Sequence, residues 1–265
     1  MKKIKEKREN KLIKPNSYTQ FYNVCPTFHL ENNTRVVVLI RQNFFYDLKE
    51  RIYTLPYLTK IEKILIIFQF FYGIYQLHES DIYHGDIRMD NILLTSKSSV
   101  FISDISPFKP AYIIINDIGM YTYYFGNNSN DNFRSCYLAP ERIVEKNEFD
   151  SKKEYMLTPA MDIFSAGIIF AELILEENLW DFSKISNYKK NNSVIENILN
   201  RIKDNNIRNL IQKMTCLNPD DRINIRKVLQ IMINDICTIS MSQMLIHMNN
   251  LIQLLFIGNL ICLLV

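Results

Sequence analysis

Glycine is scarce in this chain of 265 residues: there are six, and none occurs before Gly73. Loops that cradle nucleotide phosphates with their backbone need several glycines, because only glycine lets main-chain amides approach the phosphates closely. The first 72 residues therefore cannot contain a glycine-rich nucleotide-binding loop of any kind.

Cysteine pairs and an excess of one charge are also lacking. The five cysteines are odd in number and widely spread, without Cys-x-x-Cys spacing or a histidine at a metal-ligand offset. This pattern argues against a disulfide framework and a structural zinc site, and it indicates reduced thiols in the cytoplasm. The 31 basic and 28 acidic residues leave a net charge of +3, so we expect no nucleic-acid partner.

The basic residues are concentrated at the N-terminus. Residues 1–14 carry seven basic and two acidic side chains. The pattern favours a solvated terminus, although a short basic arm of this kind also suits phosphate or an anionic membrane surface. The first dozen residues are too polar for a signal peptide, and Met1 is not followed by the glycine that myristoylation needs. We therefore expect a cytoplasmic protein, with peripheral membrane association as an open alternative.

Apolar residues make up 48% of the chain, which is enough for a large core. Residues 61–78 are almost wholly apolar, but Gln69 and Gly73 interrupt them, so a buried helix is favoured over a membrane span. Residues 1–30 and 104–141 show no clear periodicity and are expected to be irregular. The predicted elements are a buried strand at 34–40, helices at 43–52, 61–78 and 161–175, strands at 91–95 and 99–103, and helical structure at 196–235 broken at Asn218-Pro219.

The chain divides into three predicted parts. Residues 1–35 form a basic, irregular arm, and residues 36–235 form the main domain. Residues 236–265 end in the apolar run 251–265, which is read as a core or interface helix, with a tail anchor or a truncated end as alternatives.

The candidate chemistry lies in the segment from His84 to Asn91 and at Asp104. Asp86 precedes Asn91 by five positions, and Asp104 follows at the end of the next predicted strand. This arrangement is typical of phosphoryl transfer. Asp86 would accept or orient the proton of the attacking hydroxyl, and the oxygens of Asn91 and Asp104 would hold Mg²⁺. Arg88 is placed to reach the transferred phosphate.

Protein kinases and small-molecule phosphotransferases share this segment, and downstream residues separate them. Ala139-Pro140-Glu141 is typical of the end of a protein-kinase activation segment. Asp162 resembles the start of the helix that follows that segment, and Arg222 resembles the arginine that pairs with Glu141. These features occur in the order that a protein kinase requires, so a small-molecule kinase is disfavoured.

Longer stretches resemble one family more narrowly, the regulatory protein-kinase subunit of the class III phosphatidylinositol 3-kinase complex, or vacuolar-protein-sorting fifteen family. The resemblance covers residues 36–235, and its motifs are RQNFFYDLKERIYTLPYLTKIEK, HGDIRMDNILLTS, FISDISPFKPAYI, CYLAPERIV and LTPAMDIFSAGIIFAEL. It implies an α+β protein-kinase-like fold with a mostly helical large lobe and an incomplete small β lobe. Residues 1–35 would contain a remnant of the small lobe, and residues 36–235 would form the protein-kinase-like domain, without the glycine-rich loop.

The same resemblance implies a serine/threonine protein kinase that uses ATP and Mg²⁺ and acts on protein substrates. Its partner would be the lipid-kinase catalytic subunit, in autophagy and endosomal or vacuolar sorting. It assigns structural roles to His84, Glu141, Asp162 and Arg222. The strand that ends near Arg41 and Gln42 would lead into the hinge between lobes, so that ATP lies between these residues and Asp104.

Departures from the family pattern leave two functions open. Gly85 stands where many protein kinases have arginine, Arg88 where serine/threonine kinases have lysine, and Ile105-Ser106 where Phe-Gly usually follows the metal-binding aspartate. No lysine can be nominated to clamp ATP, and the first half of the small lobe is expected to be absent. The chain is therefore either an active kinase or a pseudokinase scaffold that docks the lipid kinase without turnover.

Overall fold

A computed structural model describes residues 43–105, 109–114, 118–125, 136–147 and 155–238, together with four short strands between residues 23 and 40. The basic arm at 1–14 and the apolar run 251–265 lie outside these residues. The strands are β1 Asn23–Val24, β2 Phe28–His29, β3 Arg35–Val36, β4 Leu39–Ile40, β5 Tyr46–Asp47, β6 Ile92–Leu94, β7 Val100–Ile102, β8 Ile113–Ile114 and β9 Ile143–Val144. The helices are α1 Leu48–Ile52, α2 Lys60–His78, α3 Ile118–Phe125, α4 Pro159–Leu175, α5 Phe182–Lys190, α6 Ser193–Leu199, α7 Asn205–Met214 and α8 Ile225–Thr238.

The strands before residue 41 form a nested antiparallel arrangement. Strand β1 pairs with β4, with Asn23 opposite Ile40, and β2 pairs with β3. The prediction of an irregular segment before residue 31 was therefore wrong at β1 and β2. Within the predicted strand at 34–40, the described residues are strand, and β4 and β3 pair with β1 and β2 in turn.

The predicted helix at 43–52 begins later than expected. Tyr46 and Asp47 form β5, and the helix starts at Leu48. The side chain of Asp47 accepts a hydrogen bond from the amide of Glu50 at 2.8 Å, which is the usual cap of a helix N-terminus. This cap ends the strand and begins the helix, so the boundary is set by one aspartate within a run that also looked helical.

Helix α2 is the centre of the core, and the prediction of a long helix there is confirmed. Thr59 and Glu62 form a reciprocal capping box at its start. Its apolar side chains are buried on more than one face because α4, α8 and β7 pack around it. Within the described ranges, no helix is long and apolar enough to cross a membrane.

Strands β5, β6 and β7 form one antiparallel sheet, in which β6 and β7 are a hairpin with Leu93 opposite Phe101. The two predicted strands are therefore confirmed. Asn91 and Ser103 lie at the open end of this hairpin, where the main chain of Ser103 donates to the carbonyl of Asn91 at 2.9 Å. The hairpin thus places Asn91 and Asp104 at the same end of the sheet.

Residues 104–141 are less irregular than predicted, since they contain β8 and α3. Strand β8 is parallel to β9, with Ile113 opposite Ile143. Helix α4 confirms the predicted helix at 161–175, and the predicted break at Asn218-Pro219 is a short 3-10 turn. Helix α5 was not anticipated, because its sequence is polar and rich in lysine.

Helices α4 and α7 approach closely at Gly167. A β-carbon at this position would lie 2.9 Å from Cβ of Met214 and 2.9 Å from Cγ2 of Thr215. Such contacts force the two helices apart, since Cβ of Met214 cannot move independently of its backbone. The absence of a side chain at residue 167 is therefore what permits this packing.

We expect Gly167→Ala to lower the free energy of unfolding by about 1 kcal/mol. Overpacking costs about 1–3 kcal/mol, and the better helix propensity of alanine returns about 1 kcal/mol of this loss. Urea denaturation of the variant measures the net effect. The change Thr215→Ser removes Cγ2 but keeps the hydroxyl that donates to Ile211, so it should recover part of the loss in the double variant. A more stable Gly167→Ala protein would contradict the steric argument.

Candidate active site

The carboxylate of Asp162 holds the start of the 84–91 loop. It lies in the first turn of α4, is 2% exposed and accepts hydrogen bonds from the amides of His84 at 2.8 Å and Gly85 at 2.9 Å. His78, at the end of α2, lies 3.0 Å away through Nε2. Burial alone would raise the pKa of Asp162. The net shift of the pKa is downward, and the largest contributions to it are the hydrogen bond and the charge of His78.

The ring of His84 links the loop to the hairpin. Its Nδ1 accepts from the amide of Asp86 at 3.1 Å, so the proton of the neutral ring is assigned to Nε2. This Nε2 lies 2.8 Å from the carbonyl oxygen of Ser103, the residue before Asp104. Because the ring is completely buried, it fixes the distance between the loop and the end of β7.

Gly85 occupies a position that a side chain would disturb. Its φ is +71°, in the left-handed region that favours glycine. A β-carbon there would lie 2.6 Å from Cδ1 of Leu157. A side chain at this place would have to displace the end of Leu157 and would strain the left-handed backbone.

Asp86 is buried and paired with a residue that the sequence analysis did not nominate. Its Oδ2 lies 2.7 Å from Nζ of Lys109, and the two side chains are 11% and 19% exposed. The same ammonium group donates to the carbonyl oxygen of Tyr124 at 2.5 Å. Lys109 lies in the family-specific stretch FISDISPFKPAYI, which was a signal for its importance but not for its contact.

Arg88 turns away from Asp86. Its Nε donates to Asp90 at 2.7 Å, and its Nη1 donates to the carbonyl oxygen of Phe125 at 2.8 Å. Burial lowers the pKa of Arg88, but the charges of Asp90 and Asp86 outweigh it and the net shift is upward. The guanidinium group is therefore charged and bound to the end of α3.

Asn91 and Asp104 have the chemistry that a magnesium ion requires. The Nδ2 of Asn91 donates to the carbonyl oxygen of Asp86 at 2.9 Å, which assigns the amide oxygen to the opposite side of the group. Asp104 is exposed, with φ at +57°, a conformation that aspartate tolerates better than most residues. Two oxygen donors at one end of the hairpin fit Mg²⁺, which takes hard oxygen ligands and keeps several waters.

Glu141 and Arg222 come together as a two-bond ion pair. Their oxygen–nitrogen distances are 2.6 and 2.7 Å, and the side chain of Arg222 is fully buried. The guanidinium group also donates to the main-chain oxygens of Cys216, Ala160 and Leu217. The pair joins the 3-10 turn after residue 139 to the helices that follow.

Arg142 is a second buried arginine, and sequence reasoning missed it. It donates to the carbonyl oxygens of Gly85 at 2.6 Å, Pro110 at 2.5 Å and Ala111 at 3.2 Å. Its pKa is lowered by burial, against the opposing charge of Asp162. The residue ties the 84–91 loop to the segment that carries Lys109.

Glu172 was also missed, because it lies inside the apolar stretch of α4. Its Oε2 accepts from the hydroxyl of Tyr137 at 2.6 Å, and its Oε1 accepts from the amides of Leu179 and Trp180. Burial raises its pKa to about 7, and the hydrogen bond from Tyr137 is the largest opposing influence. The group links the segment before Pro140 to α4.

The predicted hinge residues Arg41 and Gln42 lie outside the described residues, so their part in nucleotide binding stays a prediction. Within the described ranges, no group of three or more histidine, cysteine, aspartate or glutamate side chains is arranged to hold a metal ion. The cysteines Cys136 and Cys216 are free thiols.

Comparison with known proteins found one protein family and several individual proteins that are similar to this chain. The protein kinase domain family matches residues 2–232. The probable serine/threonine-protein kinase vps15 of Dictyostelium discoideum is 37% identical over 221 residues, which are 83% of this chain and 11% of that protein. The serine/threonine-protein kinase VPS15 of Arabidopsis thaliana is 35% identical over 209 residues, and vps15 of Schizosaccharomyces pombe is 37% identical over 210. Each of these two alignments covers 78% of this chain. They cover 14% of the Arabidopsis thaliana protein and 12% of the Schizosaccharomyces pombe protein.

This chain thus spans between 11% and 14% of the length of these curated relatives. The resemblance inferred from the motifs is confirmed, and so is the α+β protein-kinase-like fold class.

We expect Asp162→Asn to lower the free energy of unfolding at pH 7 by about 3 kcal/mol, since it removes charge-assisted hydrogen bonds and aims an amide group at main-chain donors. The lowered pKa of Asp162 means that its stabilisation is present above its unfolded value of 3.8 and is lost as pH falls through the folded pKa. The free energies of unfolding measured in urea at pH 7 and pH 3 should therefore differ less for the variant than for the parent chain. As a control, Asp220→Asn changes an exposed aspartate and should change little.

We expect the raised pKa of Glu172 to make stability fall as pH rises. A carboxyl whose folded pKa is about 7 rather than 4.5 stabilises the protein below pH 4.5 and loses that contribution between pH 4.5 and 7. The loss is about 3 kcal/mol. In the variant Glu172→Gln, the free energy of unfolding measured in urea should change less between pH 4.5 and 7, whereas the exposed control Glu145→Gln should show the same change as the parent chain. If the free energy of unfolding of Glu172→Gln still falls with pH as steeply as that of the parent chain, the raised pKa of Glu172 is refuted.

Proposed function

The chain belongs to the protein kinase domain family, and from this membership and the geometry of its site we propose that it is an ATP-dependent protein serine/threonine kinase domain. The observation that carries the proposal is the end of the β6–β7 hairpin. There the side chain of Asn91 donates to the carbonyl oxygen of Asp86, and the main chain of Asn91 accepts from the amide of Ser103, the residue before Asp104. This arrangement supports the proposal, because phosphoryl transfer uses a base close to two metal-binding oxygens.

Each residue has a proposed role. Asp86 accepts or orients the proton of the attacking hydroxyl, and Asn91 and Asp104 hold Mg²⁺ by their side-chain oxygens. Arg88 contacts the phosphate, once it leaves the carbonyl oxygen of Phe125. When bound, ATP with Mg²⁺ supplies the transferable group and the metal neutralises phosphate charge. His84, Asp162 and the Glu141–Arg222 pair hold the loop and the helical part in position.

The similarity to VPS15 proteins supports a proposal about the complex in which the chain acts. The chain would act as part of the regulatory subunit of a class III phosphatidylinositol 3-kinase complex, in autophagy and endosomal or vacuolar sorting. The lipid-kinase catalytic subunit would be its partner, alongside protein substrates, and membrane attachment would be peripheral. The division into parts at residues 35 and 235 belongs to the same proposal.

A scaffold without turnover is the second candidate, and two observations favour it. The first 72 residues contain no glycine for a phosphate-binding loop. Asp86 is paired with Lys109 at 2.7 Å, so its carboxylate is already engaged. A scaffold would keep the fold and the docking surfaces but bind nucleotide weakly.

Binding of ATP and GTP to the full chain, measured by calorimetry with and without Mg²⁺, tests the proposal. We expect saturable binding of ATP that depends on the metal and is at least about tenfold weaker in Asp104→Asn, because a ligand oxygen with full charge is lost. Asparagine tolerates the left-handed backbone, so the variant adds no strain. Asp81→Asn is the matched control, since Asp81 also has a positive φ of +50° but lies outside the site.

The two candidates give different results. Equal binding by Asp104→Asn and the parent chain would remove Asp104 from the metal site. Absence of binding at millimolar nucleotide would favour the scaffold. If ATP binds, loss of phosphate transfer in Asp86→Asn would support the kinase, and unchanged transfer would refute the role of Asp86.

A further inference from the structure

The loop between α1 and α2 displays apolar side chains to solvent. Tyr53, Leu55 and Tyr57 are 61%, 73% and 62% exposed, and they are three of the six large apolar side chains that are strongly exposed among the described residues. No charged residue occurs between Ile52 and Thr59. Exposed apolar side chains that are grouped in this way mark a contact surface more often than scattered ones do.

The backbone of this loop is fixed by Arg51. Its Nη1 donates to the carbonyl oxygens of Thr54 and Pro56, both at 3.0 Å, and the hydroxyl of Thr54 donates to the carbonyl oxygen of Glu50 at 2.8 Å. A contact surface whose backbone is already ordered loses little conformational entropy when it is covered. The loop is therefore preorganised for contact through its three exposed side chains.

The chain also contains a segment with matching chemistry. Residues 239–265 include no aspartate, glutamate, lysine or arginine, and the run 251–265 is apolar apart from Gln253, Gly258 and Asn259. Contact between an uncharged segment and an uncharged loop removes no charged side chain of either from water. A bilayer span takes about 20 apolar residues, so a protein surface suits this shorter run better than a membrane does.

Helix α8 leads the chain toward the loop. At the start of α8, Nη2 of Arg226 donates to Glu79 at 2.7 Å, and its guanidinium group lies 5.5 Å from the ring centre of Tyr75, in the last turn of α2. Because α8 packs along α2 from there, it runs back toward the start of α2, which the loop precedes. The thirteen positions from residue 238 to residue 251 span up to about 43 Å, which is ample for the run to reach the loop.

A groove near the start of α2 fits this run less well. The groove has a volume of about 610 Å³, and four cationic side chains are among those that line it, namely those of Lys60, Lys63, Arg201 and Lys203. An uncharged segment would take these cations out of water without supplying a negative charge to pair with them. The exposed loop carries no such penalty, since it has no charged residue.

We propose that the apolar run 251–265 covers the loop 53–57 of the same chain, with Tyr53, Leu55 and Tyr57 as its main contacts. The linker of residues 239–250 keeps the run near the loop, so contact within one chain is favoured over contact between two copies. This contact does not depend on nucleotide or on phosphoryl transfer, so it stands or falls separately from the proposed function.

The thiol of Cys262 lies in the run and reports its contact. In dilute solution of the full chain, we expect a polar maleimide to label Cys262 at least about tenfold faster in Leu55→Asp than in the parent chain, because a buried carboxylate disfavours the covered state. Mass spectrometry identifies the labelled cysteine. Met156→Asp is the matched control, since Met156 is 67% exposed but lies outside the loop, and it should label at the parent rate. Equal rates in Leu55→Asp and the parent chain would overturn the proposal.

The reciprocal change tests the contact from the side of the run. Phe256→Asp should accelerate hydrogen exchange of the amides of residues 55, 57 and 58 at least about tenfold, whereas His247→Asp, outside the run, should not. In the double variant, Phe256→Asp should add little to the labelling rate of Leu55→Asp, because both changes break one contact. Effects that multiply in the double variant would mean two independent contacts and would refute the proposal.

Other occupants of the two surfaces give distinct results. If Cys262 is protected only at concentrations where sedimentation shows a dimer, the run contacts a second copy of the chain. If it is protected only when phosphatidylcholine vesicles are added, the run contacts a membrane. Either result would overturn the contact within one chain.

Discussion

The carboxylate of Asp162 is the interaction on which the candidate site depends. It accepts hydrogen bonds from two consecutive amides, those of His84 and Gly85, and it lies within hydrogen-bonding distance of His78. A buried carboxylate needs such partners, since each one offsets part of the desolvation of its charge. Asp162 also lies in the first turn of α4, where the helix dipole favours a negative charge. One helix terminus therefore fixes the backbone at the start of the 84–91 loop.

Further hydrogen bonds extend from the 84–91 loop and position the neighbouring segments. His84 contacts Ser103 and so places Asp104, while Arg142 reaches from the opposite side to the carbonyls of Gly85 and Pro110. Arg142 is fully buried but not unpaired, because three main-chain oxygens and an aromatic ring surround its guanidinium group. By fixing residues 110 and 111, it also fixes Lys109. The contact between Lys109 and Asp86 is thus a consequence of the same network that forms the loop.

Local sequence patterns were enough to predict part of this architecture. The loop from His84 to Asn91 and the helices α2 and α4 have strong local signals, namely a fixed motif spacing and long apolar runs. The partners Lys109, Arg142 and Glu172 were not predictable in this way, because their roles depend on residues far away in sequence. Lysine and arginine outside regular helices are ordinarily solvated, and only the folded chain shows that Arg142 is buried and that Lys109 is half-buried. The start of α1 was misplaced for a related reason, since one cap at Asp47 overrides the propensity of its neighbours.

The charges around Asp86 nearly cancel, and this balance bears on how nucleotide would bind. Asp86 is paired with Lys109, and Asp90 is paired with Arg88, so two carboxylates of the candidate site are already matched by cations. These two ion pairs offer a polyphosphate no surplus of positive charge, so the Coulomb attraction that they contribute is small. Under the proposed function, affinity for nucleotide would then have to come largely from a divalent cation held by Asn91 and Asp104. Nucleotide binding would therefore depend strongly on the metal, because the ion supplies the positive charge that the paired side chains do not.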